Sequence, residues 1–416
     1  MRISLISLLV ASAFLAVACQ SDDDSASNSD NPPVDTVWTF EQFIAQAETT
    51  AEDSRQALVD SFLDYWGQIV IPPVHVAPDS DFGTAAFVLT STAGSASVTG
   101  DFNSWISDLG LMVHLDGTTL YYRTYRFEKN ARFDYKFLLN GSQSILDPRN
   151  PRQIGNWSGD DSQMWMPAFT PPVEATADTS IAHGTTQTFS IHSEIMNNTR
   201  TVTVYLPAGY NSDTLHAYPV LYTHDGNEYR ELGMIHNIAD YLIGHGEVPP
   251  FIVVTVPWAN PPGREGEYHM NPNFARFFVE ELIPRVDSSF ATMASREGRA
   301  IVGASSSGLG AVYLAWAKPD YFKWVIGQSG YYSFNDDAII DSISIAPTQT
   351  DLHVYLAVGT YELALGSSIN IFAAQQRLAD VLESKGYDSV ALYVPDGHSW
   401  GNWQRTIGDA IRWMWQ

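Results

Sequence analysis

Seven short runs rich in β-branched and apolar residues lie at 201–206, 219–223, 251–256, 300–303, 324–328, 353–358 and 390–394. Between several of them are stretches of helical spacing, at 273–286, 309–317 and 369–385. Alternation of this kind constrains the fold more than any other feature of the chain. Parallel neighbours need a crossover long enough to hold a helix, so the pattern predicts a mostly parallel sheet with helices on both faces. This α/β unit is expected to span 183–416, with its chemistry just past the carboxyl ends of the strands.

The chain ahead of that unit reads differently. Runs at 85–89, 96–99, 120–125 and 133–137, punctuated by Gly, Asn and Asp, predict a small antiparallel sandwich. Phe40, Phe43, Ile44 and Ala47, then Leu58, Phe62 and Trp66, fall at helical spacing and predict one or two helices before it. A chain of 416 residues with 45% hydrophobic content is long and apolar enough for two cores. The expected division is a helical segment plus sandwich at 38–167, a Pro/Thr-rich linker at 168–182, and the α/β unit.

The first eighteen residues read as an export signal: Arg2, an apolar run from Ile3 to Val17, and small residues at its end. Cys19, the single cysteine, follows directly, which excludes a disulfide framework. Ala16-Val17-Ala18-Cys19 resembles a bacterial lipobox. The resemblance implies cleavage before Cys19, lipid on Cys19 as the membrane attachment, and, with Gln20 next, a place in the cell envelope on the outer membrane. Residues 19–37 are acidic and polar and read as a disordered tether. The net charge of −25 opposes nucleic-acid binding, which needs Lys/Arg contacts to phosphate.

The run 299–303 passes into Gly303-Ala304-Ser305-Ser306-Ser307-Gly308-Leu309 and then an apolar helix. Strand, tight turn and helix make the context of a nucleophile elbow, in which small neighbours let strand and helix approach around an exposed serine. Ser305 is the candidate nucleophile, although Ser307 stands where the G-x-S-x-G pattern expects glycine. Three adjacent serines also occur in inert turns. The triad order of such enzymes is Ser, acid, His. Glu362 follows the run 353–358, and His398 follows 390–394 within Pro395-Asp396-Gly397-His398-Ser399-Trp400. His398 is the candidate base and Glu362 the group that fixes its tautomer. Asp396 and Asp388 are rival acids. The oxyanion hole needs two backbone amides. The Ser306 amide is one candidate, and Gly226 or Asn227, at the turn after 219–223, is the other.

Several segments together resemble the esterase D and enterochelin esterase family of α/β-hydrolases. They are Val204-Tyr205-Leu206-Pro207-Ala208-Gly209-Tyr210, the Asp225-Gly226 turn, Arg264 with Glu267-Tyr268, Glu280-Glu281-Leu282-Ile283-Pro284, Gln328-Ser329-Gly330, and Gly397-His398-Ser399-Trp400 with Trp403. The resemblance implies the α/β-hydrolase fold, a serine esterase activity, and a substrate rim that includes Arg264 and Trp400. Arg264 could contact an anionic substrate, pair with an acid, or only anchor its loop to Glu267. Asp101-Phe102-Asn103-Ser104-Trp105 and Asp147-Pro148-Arg149-Asn150-Pro151 resemble the early-set, immunoglobulin-like domain that precedes the catalytic unit in enterochelin esterases. Trp105 there either plugs the sandwich end or offers a face to a ring-bearing ligand.

No H-E-x-x-H, paired-cysteine, phosphate-loop or dinucleotide pattern is present, so neither a metal nor a cofactor is expected. The expected function is hydrolysis of a small-molecule or glycan-linked carboxylic ester through an acyl-serine. A non-catalytic siderophore- or glycan-binding protein on a decayed hydrolase fold is the alternative, and acyl transfer to an alcohol is a third.

Overall fold

The computed structural model describes residues 39–416 apart from 68–73, 78–79, 213–216, 350, 364–368 and 416. The expected signal, Cys19 and the tether lie outside the described residues. Residues 39–416 form one unit. It opens with α1 (Phe40–Thr49) and α2 (Glu52–Gly67). Thr39 caps α1 through a reciprocal capping box with Gln42. Phe43 and Phe62 stack at 3.8 Å, and Phe40 meets Tyr122 edge-on, which seats the helix pair on the first small sheet.

Two small antiparallel sheets follow. Their strands are β1 (Val74–Val76), β2 (Phe82–Thr90), β3 (Ala96–Gly100), β4 (Val113–His114), β5 (Leu120–Glu128), β6 (Arg132–Leu139), β7 (Gln143–Ile145), β8 (Gln153–Asn156) and β9 (Gly159–Trp165). One sheet runs β1-β2-β5-β4 and the other β3-β6-β9-β8, with β7 paired to β6. Phe87, Val98, Phe127, Phe133, Tyr135 and Met164 fill one core between them. Strands β2, β3, β5 and β6 fall on the four β-rich runs punctuated by Gly, Asn and Asp, and β2 and β3 are buried along nearly their whole length.

The large sheet begins with two antiparallel strands, β10 (Thr185–Ser193) and β11 (Asn198–Leu206). The chain continues through β12 (Val220–Thr223), α3 (Gly226–Glu231), α4 (Ile235–Gly244), β13 (Ile252–Thr255), α5 (Arg264–Tyr268) and α6 (Pro272–Arg276). A π-helical stretch, Phe277–Leu282, leads into α7 (Ile283–Ser289). Then come β14 (Arg299–Ala304), α8 (Ser306–Ala317), β15 (Trp324–Gln328), α9 (Phe334–Ile345), β16 (His353–Gly359), α10 (Ile371–Ser384), β17 (Asp388–Val394) and α11 (Trp400–Trp415).

The strand order is β10-β11-β13-β12-β14-β15-β16-β17, with β12 to β17 mutually parallel. Every residue of β12, β13 and β14 is buried, because helices cover both faces of the central strands and leave no wet side to alternate with. One face packs on α6 to α8 and α10 through Phe274, Phe278, Leu309 and Leu378. The other packs on α4 and α11 through Ile238, Leu242, Trp403, Ile407 and Ile411. β13 lies on one side of β12 and β14 on the other, so the chain reverses its direction of travel across the sheet here. Crevices at the carboxyl ends of such strands collect ligands.

Candidate active site

Ser305 leaves β14 at φ 59 and ψ −127, outside the regions an L-residue adopts without strain. Four backbone bonds hold it there: Ser305 N–H donates to Gln328 O at 2.9 Å, and Ser305 O accepts from Gly308, Leu309 and Tyr331 N–H at 3.0, 3.2 and 3.1 Å. Helix α8 starts at the next residue, so its positive end faces the turn. The tight approaches fall at Gly303 and Gly308. A Cβ on Gly303 would lie 2.0 Å from Ser307 O, and one on Gly308 would lie 3.0 Å from Gly330 Cα. At 307 the backbone needs no glycine. The Ser307 hydroxyl donates to Ala304 O and accepts from Ala304 N–H, both at 2.8 Å, and so locks the turn from inside.

Ser305 Oγ lies 3.0 Å from His398 Nε2, and His398 Nδ1 lies 2.6 Å from Glu362 Oε2. The other carboxylate oxygen of Glu362 accepts from Ser329 Oγ at 2.7 Å, Gly359 N–H at 2.8 Å and Asn402 Nδ2 at 3.2 Å. A buried carboxylate held by these four partners keeps a fixed orientation. Trp403 donates its indole N–H to Ser329 Oγ at 3.0 Å and packs edge-on against the His398 ring, extending the same network. The two rival acids are engaged elsewhere: Asp396 with Arg132 at 3.0 Å and Arg405 at 3.5 Å, and Asp388 with His353 at 2.5 Å.

The oxyanion candidates separate. Gly226 donates its amide to Val256 O at 3.0 Å, so this expected donor is corrected: the bond closes the β12 turn and leaves no free hydrogen. A Cβ there would strike Val256 N at 2.3 Å, which is why the position is glycine. Asn227 and Ser306 sit in the first turns of α3 and α8, whose leading amides have no carbonyl within the helix.

Arg264 forms a two-pronged pair with Asp225, at 2.8 and 2.5 Å, and donates to Ala304 O at 3.1 Å. It thus ties the β12 turn to the serine turn. Of the readings given for Arg264, pairing with an acid is the one found, and anchorage to Glu267 is not, since Glu267 pairs with Arg200 at 2.7 Å. Trp400 is also corrected. It is 1% exposed, packed on Tyr229 and Trp403, and forms no rim.

The exposed aromatic ring beside Arg264 is instead Trp157, in the β8–β9 turn, 48% exposed. It lies against Trp400 and under the Arg264 guanidinium, which is 4.8 Å from its ring centre. Sequence reading missed Trp157, although Asn156-Trp157-Ser158-Gly159 is a readable turn. It also missed His269, whose Nε2 meets Ser306 Oγ at 3.1 Å, and His224, whose Nδ1 donates to Ser307 O at 3.2 Å. Burial holds the His224 imidazole down at about 3, so it stays neutral. A cavity of about 630 Å³, lined by Arg230, Trp258 and Asn260 among others, opens beside Asn227 and touches none of Ser305, Glu362 or His398.

A family model described as putative esterase matches residues 193–414. The chain is 27% identical over 240 residues to the "uncharacterized protein YjcH" of Bacillus subtilis, covering 56% of this chain and 98% of that one. It is 32% identical over 164 residues to an endo-1,4-beta-xylanase/feruloyl esterase of Xylanibacter ruminicola, covering 36% of this chain and 22% of that protein. Among solved structures it resembles the enterobactin esterase of Shigella flexneri in the presence of enterobactin. The TM-score is 0.70 at 20% identity, over 85% of this chain and 98% of the other, a likeness of fold that includes the part ahead of the large sheet. With more than half of its length matched, the chain belongs to the putative-esterase family.

Proposed function

We propose that this esterase hydrolyses a carboxylic ester through an acyl-Ser305 intermediate, with His398 as general base and acid and Glu362 as its orienting carboxylate. The observation that carries the reading is the unbroken relay from Ser305 Oγ to His398 Nε2 at 3.0 Å and from His398 Nδ1 to Glu362 Oε2 at 2.6 Å. His398 takes the Ser305 proton as the serine oxygen attacks the carbonyl carbon, then gives it to the departing alcohol as the ester C–O bond breaks. Water attacks the acyl-serine by the same route in reverse roles. The amides of Ser306 and Asn227 receive the oxyanion, and Glu362 stabilises the imidazolium without becoming protonated.

The substrate class is an aromatic or glycan-linked ester, a siderophore ester or a feruloyl or acetyl group. The exposed Trp157 ring beside Arg264 supports an aromatic partner. A decayed binding fold is disfavoured, because the Ser307 departure that motivated it is accounted for by its bonds to Ala304. The two facing antiparallel sheets support the immunoglobulin-like reading of the N-terminal part. Residues 1–19 support export and lipidation on Cys19; fatty-acid labelling lost in Cys19→Ala is the expected result.

Catecholate-siderophore, feruloylated and acetylated substrates assayed side by side test the function. Ser305→Ala should abolish turnover of whichever is cleaved. Full activity in that variant would end the serine mechanism.

A further inference from the structure

The two loops that carry His398 and Glu362 are both gripped by the N-terminal sandwich. In strand β6, Arg132 N–H donates to Pro395 O at 3.0 Å. Its guanidinium donates to Asp396 Oδ1 at 3.0 Å and to Ser399 Oγ at 2.7 Å, and also pairs with Asp134 of the same strand. One side chain, 1% exposed, therefore holds the loop on both sides of His398. Two glycines flanking that histidine leave room for sandwich side chains. A Cβ on Gly397 would lie 2.0 Å from Asp101 Cγ, and one on Gly401 would lie 2.0 Å from the Arg132 guanidinium carbon. Asp101 in turn accepts from Asp134 N–H at 2.8 Å.

The acid's loop is held separately. Tyr361, adjacent to Glu362, donates its hydroxyl to Glu128 of β5 at 2.7 Å. Its ring sits edge-on to Phe133 at 4.5 Å, packed against the sandwich core. Tyr361 N–H also donates to Asp396 O at 3.2 Å, joining the two loops.

Such an arrangement is demanding to bury. Burial pushes Asp101 up to about 7 and raises Asp134 and Asp396 as well, and the Arg132 charge acts against all three shifts. Buried carboxylates without a cation are costly, so Arg132, whose charge acts on all three, ties β6 to the His398 loop through Asp396. Ser305 needs none of this, since its turn is held within the large sheet.

We infer that the N-terminal sandwich is part of the catalytic apparatus, with Arg132 and Tyr361 as positioning residues that set His398 and Glu362 against Ser305. The inference rests on the triad reading and gives the sandwich a role beyond substrate capture. A displacement near 1 Å in a reacting constellation can lower rates by about 100-fold.

The test uses the full chain, with turnover of a p-nitrophenyl ester, the rate and stoichiometry of fluorophosphonate labelling, and thermal unfolding. Arg132→Met should lower kcat about 100-fold at nearly unchanged KM. It should still label to one equivalent, only slowly, and Arg132→Lys should recover part of the rate. Tyr361→Ala should lower kcat about tenfold, with Tyr361→Phe between it and wild type. If Arg132→Met does not fold, the Tyr361 pair decides. Folded variants that keep kcat and labelling rate within twofold overturn the inference, as does a loss of labelling stoichiometry at unchanged rate, which is a folding defect. Failure of wild type itself to label would instead bring down the triad reading.

Discussion

Replacing Glu362 with glutamine keeps the shape of the side chain and removes its charge. The structure dictates which way the new amide must face. The Oε1 position accepts from Ser329 Oγ, Gly359 N–H and Asn402 Nδ2, so it has to remain an oxygen. The NH2 group then takes the Oε2 position, 2.6 Å from His398 Nδ1, and donates to it. Nδ1 becomes an acceptor, the ring proton moves to Nε2, and the nitrogen facing Ser305 can no longer take a proton. Amide replacement in other Ser–His–acid sites costs about 10⁴-fold through this wrong tautomer. The expected loss here is about 10³- to 10⁴-fold in kcat, roughly 4–5.5 kcal/mol of barrier. Thermal unfolding should move little, because the three donor bonds survive. Steady-state kinetics on a p-nitrophenyl ester, with the melting temperature as control, measures both. A folded Glu362→Gln protein within tenfold of wild-type kcat/KM would refute the tautomer argument and the role given to Glu362.

Ser307→Ala removes the hydroxyl that bridges Ala304 and should destabilise the fold by about 1–2 kcal/mol in urea unfolding, with kcat changed only a few-fold. Gly303→Ala places a methyl against a backbone oxygen that cannot move freely, and should cost about 3 kcal/mol or disrupt the serine turn, read as lost stability together with lost labelling. Arg264→Met leaves Asp225 buried without its cation and should destabilise by about 3–5 kcal/mol in the same unfolding assay. For His224 the folded-state value lies below the unfolded one, so the native state binds fewer protons. Its contribution is complete above pH 6.5 and is lost as pH falls toward about 3, by about 1.4 kcal/mol per pH unit. His236, held down to about 4 by burial, acts in the same direction. Asp101, pushed up to about 7 by burial, acts in the opposite direction, so the check is a comparison of variants: the stability difference between wild type and His224→Phe should shift steadily against wild type as pH falls from 6.5 to 4.

The parallel strands were legible because burial on both faces leaves unbroken apolar runs, as in Trp324-Val325-Ile326-Gly327-Gln328, read at the bounds β15 has. Strand β10, Thr-Thr-Gln-Thr-Phe-Ser-Ile-His-Ser, was not read because an edge strand with a wet face carries no such run. Helix α11 was not read although Trp400, Trp403, Ile407, Ile411 and Met414 fall at helical spacing along one buried face, a signal the sequence does carry. In the site, Ser305, Glu362 and His398 were legible from their places after strands, and the structure brings them within hydrogen-bond reach. What the sequence could not show were the long-range matters. The Gly226 amide is occupied by Val256, Trp400 is covered by Tyr229 and Trp403, and Trp157 arrives from another part of the chain. The Ser307 departure looked like damage to the motif until its bonds to Ala304 were visible.

Peptide-mapped fluorophosphonate labelling of the folded protein tests the central claim most directly. The account predicts one adduct per chain, on Ser305, absent in Ser305→Ala and formed at least 100-fold more slowly in His398→Ala. A folded wild-type protein that takes no label, or takes it on Ser306 or Ser307, would contradict it.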